Sequence, residues 1–393
     1  MPLGLYISVP FCKTKCSYCN FASDVFSRTV FDTYVARVCG EIEQATQTAD
    51  QMGVLLDRTV DTIYFGGGTP TLLDVTQLER IFVTIRQNFS VEAGAEITVE
   101  CAPGTLTPSA LETLQRCGVN RVSLGVQSFD DKEAASVGRL HKRSTVVDDI
   151  ARLRSAGLSN LNVDLIAGLP HQTRKSWEGS LDQLLSLDVP HASIYMLEVD
   201  EDSRLGRELI AGGQKYHAHF VPDEDLTADM YEVASERLNT AGILQYEISN
   251  FARANFESRH NLKYWTRQPY LGFGVDAHSM LHSADHGSAV RFSNPDSLEK
   301  YLSGAIKART PVSSEEALQE AFFLGLRLNK GVDIRRLSQE FGGNQVNAYN
   351  DIISELTDAG LLETDAARIR LTPRGRMLSN EVFERFISVD SAV

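Results

Sequence analysis

The sequence predicts an α/β fold, a parallel sheet with crossover helices followed by a small terminal domain. Three observations carry this. Short apolar, β-rich runs recur at residues 4–9, 59–65, 96–101, 121–126, 161–166 and 192–197. Segments with helical spacing lie between them, such as Phe31, Tyr34, Val35, Val38 and Ile42, or Leu111 and Leu114 before a stop at Gly118. The unusual glycine and polar residues gather at the C-terminal ends of the runs, where parallel α/β sheets place ligands.

Taken in order, the first run leads into a cysteine loop and the second into Gly66-Gly67-Gly68-Thr69-Pro70. The third ends near Glu100, the fourth near Gln127, and the fifth carries Asp164. The runs are nearly continuously apolar, so strands covered on both faces are expected. Periodicity fits an open doubly wound sheet and a partial or complete barrel equally. Residues 1–235 read as this α/β domain and residues 236–309 as a looser linking region rich in aromatics. Residues 310–393 read as a terminal module, with helices at 317–328, 333–341 and 345–359 and a ribbon of 361–364 with 368–371. Helices followed by a small ribbon resemble a winged helix, but this module is net acidic, which disfavours DNA.

The whole chain has 393 residues and a net charge of −14. That sign repels phosphate backbones, so nucleic acid is not an expected partner. No apolar run approaches the roughly 20 residues that span a bilayer, and the first residues lack the features of a signal peptide. A cytoplasmic setting is the expectation.

Six cysteines divide by placement. Cys39, Cys101 and Cys117 fall in helical or strand-like segments and read as small core residues. Cys12, Cys16 and Cys19 form C-x3-C-x2-C. Pairing as a disulfide would leave one thiol over, and zinc ordinarily takes four ligands. Three thiolates on a four-iron cluster leave one iron open for a chelating ligand.

The glycine-rich turn has a bland reading, tight chain reversal, and a functional one, close approach of a ligand to the backbone. No Gly-Lys-Ser/Thr follows, so it is not a Walker loop. Glu100, Gln127, Arg139 and Asp164 would each be unremarkable alone; at successive strand ends they describe a site for a charged, nucleoside-like ligand. His260, beside Asn261, Tyr264 and Trp265, reads from its neighbours as hydrogen-bonded packing. His278, His282 and His286 recur at helical spacing, but the residues between them favour an exposed helix end or loop. His217 and His219 alternate as in a strand. Neither group is expected to hold a metal.

The segment from Tyr6 through Cys12, Cys16 and Cys19 resembles the radical S-adenosylmethionine (radical SAM) signature. More of the chain is similar to the family of oxygen-independent coproporphyrinogen III oxidase and its haem-chaperone relatives, the HemW group. The likeness includes Pro103-Gly104-Thr105-Leu106, Gly125-Val126-Gln127-Ser128, Gly138-Arg139-Leu140-His141 and residues 164–170. It implies a partial (β/α)6 radical SAM barrel with a C-terminal helical, winged-helix-like domain. It also implies a [4Fe-4S] cluster on Cys12, Cys16 and Cys19, with SAM on the open iron. Tyr6, Gly67, Gly68, Thr69, Glu100, Gln127, Arg139 and Asp164 match positions that line the SAM site in the family. His260-Asn261-Leu262-Lys263-Tyr264-Trp265 matches the H-N-x-x-Y-W motif associated with haem binding in the chaperone branch, making His260 the implied haem ligand.

Three features separate the branches. Phe21 stands where the oxidases have a further cysteine, the first strand starts almost at Met1, and the H-N-x-x-Y-W motif is present. The resemblance therefore implies a haem chaperone that hands haem to an acceptor protein, with any membrane association coming through that acceptor. The alternative is a radical SAM coproporphyrinogen III dehydrogenase that yields protoporphyrinogen IX by oxidative decarboxylation. Ser8 departs from the family, where histidine is common.

Overall fold

A computed structural model describes residues 1–283, 288–304, 308–365 and 367–387. Six strands pair in parallel in chain order: β1 (Leu3–Val9), β2 (Thr59–Gly67), β3 (Ser90–Cys101), β4 (Arg121–Gln127), β5 (Asn160–Ala167) and β6 (His191–Met196). Helices join successive strands, and local chemistry sets where they start. Asp74 and Gln77 form a capping box before Val75–Asn88, Thr107 caps Pro108–Arg116, and Thr173 with Ser176 caps Arg174–Ser186.

Both strand faces are buried, as expected, but they differ in chemistry. One face carries Leu5, Ile7, Phe65, Val99, Val122, Leu124, Val163 and Leu165 into the apolar core shared with the helices. The other carries Tyr6, Ser8, Thr62, Tyr64, Thr98, Glu100, Arg121, Ser123, Asn162, Asp164, His191 and Ser193. That second face is polar because it surrounds a ligand chamber. Register aligns its side chains: Glu100 lies opposite Ser123, and Gly125 opposite Asp164.

The region expected as a linker, residues 236–309, instead extends this sheet at both edges. β7 (Leu244–Gln245) and β8 (Asn250–Ala252) continue it beyond β6. On the other side β9 (Tyr270–Phe273) pairs in parallel with β1, and β10 (His278–His282), β11 (Ala289–Ser293) and β12 (Ala308–Val312) follow antiparallel. β1 and β6 would otherwise be bare edges with unpaired backbone groups. β12 and β7 end the sheet at opposite sides, so the barrel is partial.

His278 and His282 lie on β10 and not on a helix end or loop; His286 lies outside the described residues. His217 precedes a short 3-10 turn, Ala218–Phe220, where a strand was expected. Among the described residues, no helix is long and apolar enough to cross a membrane.

The C-terminal domain packs helices Ser314–Leu326, Ile334–Phe341, Gly343–Asn347, Asn350–Asp358 and Ser379–Ile387 around an antiparallel ribbon of β13 (Val332–Asp333), β14 (Leu362–Thr364) and β15 (Arg368–Leu371). The single helix expected over 345–359 breaks near Tyr349, whose ring turns into the core against Phe322 and Phe386. Ion pairs built on the buried carboxylates Glu320 and Glu247 tie this domain to the barrel. Glu320 takes Arg267 and Arg291, each at 3.0 Å, and Arg327 reaches Glu247 at 3.6 Å while stacking over Trp265.

Candidate functional site

The cysteine loop leaves β1 through Phe11, a fully buried ring stacked on Phe31 with centroids 3.7 Å apart. Hydrogen bonds then hold the loop from several sides. Cys12 N–H donates to Asp24 O at 2.9 Å, and Thr14 Oγ1 to Gly138 O at 2.9 Å. Ser17 N–H donates to Val137 O at 3.1 Å, and Lys15 Nζ ties back to Phe21 O and Ser23 O at 2.6 Å each. All three thiols are free and line one cavity of about 1200 Å³ at the open end of the barrel. Burial pushes the Cys12 thiol above its usual range.

The glycine turn after β2 is sewn directly to this loop. Gly68 N–H donates to Val9 O and Thr69 N–H to Phe11 O, both at 2.8 Å. A Cβ on Gly68 would sit 2.7 Å from Phe11 O, so only glycine permits the approach. Gly67, at φ +98°, adopts a conformation that other residues avoid.

Glu100, Gln127, Arg139 and Asp164 line the same cavity. Glu100 Oε1 accepts from Tyr64 OH at 2.9 Å. Burial, reinforced by the nearby Asp164 carboxylate, pushes the Glu100 carboxyl up to about 7. Burial also raises Asp164, against hydrogen bonds from Ser123 Oγ at 3.2 Å and Asn162 Nδ2 at 2.6 Å. Gln127 sits at φ +70° with a buried Oε1 that has no partner among the described residues, an acceptor left for a ligand. Arg139 reaches Cys16 Sγ at 3.6 Å and Gly125 O, linking the fourth strand's end to the cysteine loop.

Two expected site residues lie elsewhere. Tyr6 lines an adjoining cavity of about 260 Å³ with Ser8, Tyr264 and Asp276, and Phe21, Ser23 and Gly67 line both cavities. His260 lines neither cavity and is 1% exposed. Its Nδ1 is bonded with Thr62 Oγ1 at 2.9 Å and its Nε2 with Tyr264 OH at 2.8 Å, while the ring stacks against Tyr64. Burial lowers it to about 3, so it is neutral. As placed, neither nitrogen is open to an iron atom; the ring organises the barrel interior beneath Tyr6 and Tyr64.

Several site residues were not singled out from sequence. Tyr64, Ser123, Asn162 and Ser193 form the hydrogen-bonded floor, and Arg121 faces the same chamber. Their signal was the period-two alternation of polar with apolar residues along β2, β4, β5 and β6.

With this geometry in hand, comparisons with known proteins decide the family. The heme chaperone HemW of Bacillus subtilis is 34% identical over 389 residues, spanning 97% of this chain and 98% of the relative. The heme chaperone HemW of Lactococcus lactis is 33% identical over 393 residues, spanning 99% and 98%. The chain belongs to the HemW group of the radical SAM superfamily. A Radical SAM superfamily model matches residues 6–184 and a HemN C-terminal domain model residues 312–378. The solved coproporphyrinogen III oxidase (HemN) from Escherichia coli shares the fold, with a TM-score of 0.83 and 24% identity over 98% of this chain and 90% of that one.

A radical SAM domain implies a [4Fe-4S] cluster and SAM. Among the described residues, no three His, Cys, Asp or Glu side chains close on a single ion. A cluster asks for something different, one thiolate on each of three irons. Three free thiols on one cavity wall, with the unpartnered Gln127 Oε1 in the same cavity, fit a cluster and a polar ligand together.

Proposed function

We propose that this protein is a haem chaperone: it binds haem beside a SAM-ligated [4Fe-4S] cluster and passes it to an acceptor protein. The observation that carries this is the second half of the cavity. Cys12, Cys16, Cys19 and the strand-end residues account for one side only. The other is formed by Tyr195, Ile248, Arg327, Arg376 and Leu378, where β6 faces the C-terminal domain. That wall offers apolar area for a flat macrocycle and, in Arg376, a guanidinium group for a propionate. Phe21 and Leu140, also on the lining, stay 64% and 69% exposed, which supports handover at the rim. The name carried by the relatives, heme chaperone HemW, supports the same reading.

Cys12, Cys16 and Cys19 would hold the cluster, which when bound supplies one-electron chemistry and an open iron. Gly67, Gly68 and Thr69 present backbone to the bound SAM, Asp164 accepts from ribose hydroxyls, and Glu100 meets positive charge. Gln127 completes its Oε1 on the ligand, and Arg139 braces Cys16. His260 acts through Tyr64 and Tyr264 and not as the iron ligand. The acceptor is a protein, nucleic acid plays no part, and the setting is cytoplasmic, with any membrane contact made through the acceptor.

Anaerobic reconstitution followed by haem titration tests the reading. A saturable Soret shift at one haem per chain is expected, together with no CO2 from coproporphyrinogen III, SAM and reductant. Stoichiometric CO2 with a vinyl product would replace the chaperone with the dehydrogenase.

A further inference from the structure

Among the described residues, two guanidinium groups on the cavity wall make no ion pair with an acidic side chain. Arg121, at the start of β4, is 2% exposed and lies on the strand face that carries Ser123. Among the described residues its side chain makes no hydrogen bond or ion pair, and its Nε is buried without a partner. Glu100 and Asp164 feel its charge but are committed elsewhere, to Tyr64 and to Ser123 with Asn162. Arg376, on the helix Pro373–Met377 of the C-terminal domain, bonds Leu371 O at 3.3 Å and, among the described residues, makes no ion pair, although it feels the charge of Glu363. Of the other lining cations, Arg139 is occupied by Cys16 and Gly125, Arg327 by Glu247, and Lys15 by Phe21 and Ser23, while Lys13 is exposed at the surface.

A buried, unpaired guanidinium is costly, and it is kept where a ligand completes it. We propose that Arg121 and Arg376 are carboxylate-binding positions for the propionates of a tetrapyrrole. One stands on the barrel and one on the C-terminal domain. The chain as a whole is net −14, and these two groups place positive charge on a lining that also carries Glu100 and Asp164. Planar guanidinium matches carboxylate in two parallel hydrogen bonds, and water exclusion strengthens each bond. This inference rests on the haem-binding reading and adds which groups recognise the ligand and by what chemistry.

The test compares haem with its dimethyl ester, both delivered in the same detergent to the anaerobic, cluster-loaded full chain. Wild-type protein, Arg121→Gln and Arg376→Gln are titrated with each ligand, and separately with SAM. Wild-type protein is expected to prefer the free acid by roughly tenfold to hundredfold, and each variant to lose most of that preference while retaining SAM. Arg376→Gln, on a partly exposed helix, keeps the test valid where Arg121→Gln fails to fold. Equal affinity of wild-type protein for acid and ester would overturn the inference and leave the haem reading standing. Loss of SAM binding in Arg121→Gln, with haem binding unchanged, would assign that cation to the carboxylate of SAM and overturn the propionate assignment. Wild-type protein that binds neither porphyrin would overturn the haem reading itself, and the inference with it.

Discussion

Glu100 titrates against what fills the cavity. Its folded value of about 7 lies above the ordinary 4.5, so the fold holds a proton that the unfolded chain releases. Below pH 4.5 both states are protonated; stability is then lost as pH rises, with the full loss present above about 7. Glu100→Gln removes this dependence, so its stability relative to the wild-type protein should grow across that window by about 3 kcal/mol in urea unfolding. A difference flat with pH would contradict the assignment. SAM carries a sulfonium cation, so its affinity should rise with pH to about 7 and become flat in the Glu100→Gln variant. His260 belongs to the same scale: His260→Ala leaves Thr62 and Tyr264 without a partner and opens a void, at about 2–4 kcal/mol in denaturant unfolding. A variant as stable as its parent would show that the ring does not hold the interior. Cys12→Ala, Cys16→Ala and Cys19→Ala should each lose the cluster's EPR signal. Cys101→Ala should retain it, since Cys101, although on the same cavity wall, is buried and bonded to Thr71 and Thr105.

At the scale of elements, the helix Arg259–Trp265 is a wedge between barrel and C-terminal domain. Lys263 pairs with Asp61 at 2.7 Å on the barrel side, and Trp265 receives the Arg327 guanidinium on the other. Arg267, just beyond the helix, continues the contact to Glu320. Glu320→Ala would leave Arg267 and Arg291 facing a buried gap, so a loss of about 3–5 kcal/mol is expected in the unfolding transition. An unchanged transition would remove this junction from the account. The elements also show how much of the molecule could be read beforehand. The six strands were legible because apolar runs mark buried parallel strands, and the cysteine, glycine and acidic positions were legible because they fall at strand ends. The inner polar face was legible only as an alternation of polar with apolar residues, which does not say that register sets Ser123, Asn162 and Ser193 side by side. The edge strands at residues 244–252 and 270–312 were missed because short strands with polar flanks have weak periodicity. His260 was placed by its motif, which carries no information on whether its nitrogens are free; hydrogen bonds to Thr62 and Tyr264 decide that.

At the scale of the whole molecule, one sheet holds a polar chamber, and a second, separately cored domain closes one side of it. The central claim is that cluster, SAM and tetrapyrrole share this single chamber. Ser249, a small residue on its lining next to β8, offers a place to block the tetrapyrrole half alone. The most direct measurement is an anaerobic Soret titration of wild-type and Ser249→Trp protein, each carrying a full complement of cluster by its own absorbance. The account predicts one haem per chain in wild-type protein and at least tenfold weaker binding in Ser249→Trp, with the cluster unchanged. Equal haem binding in the two proteins would contradict it and place haem outside the chamber.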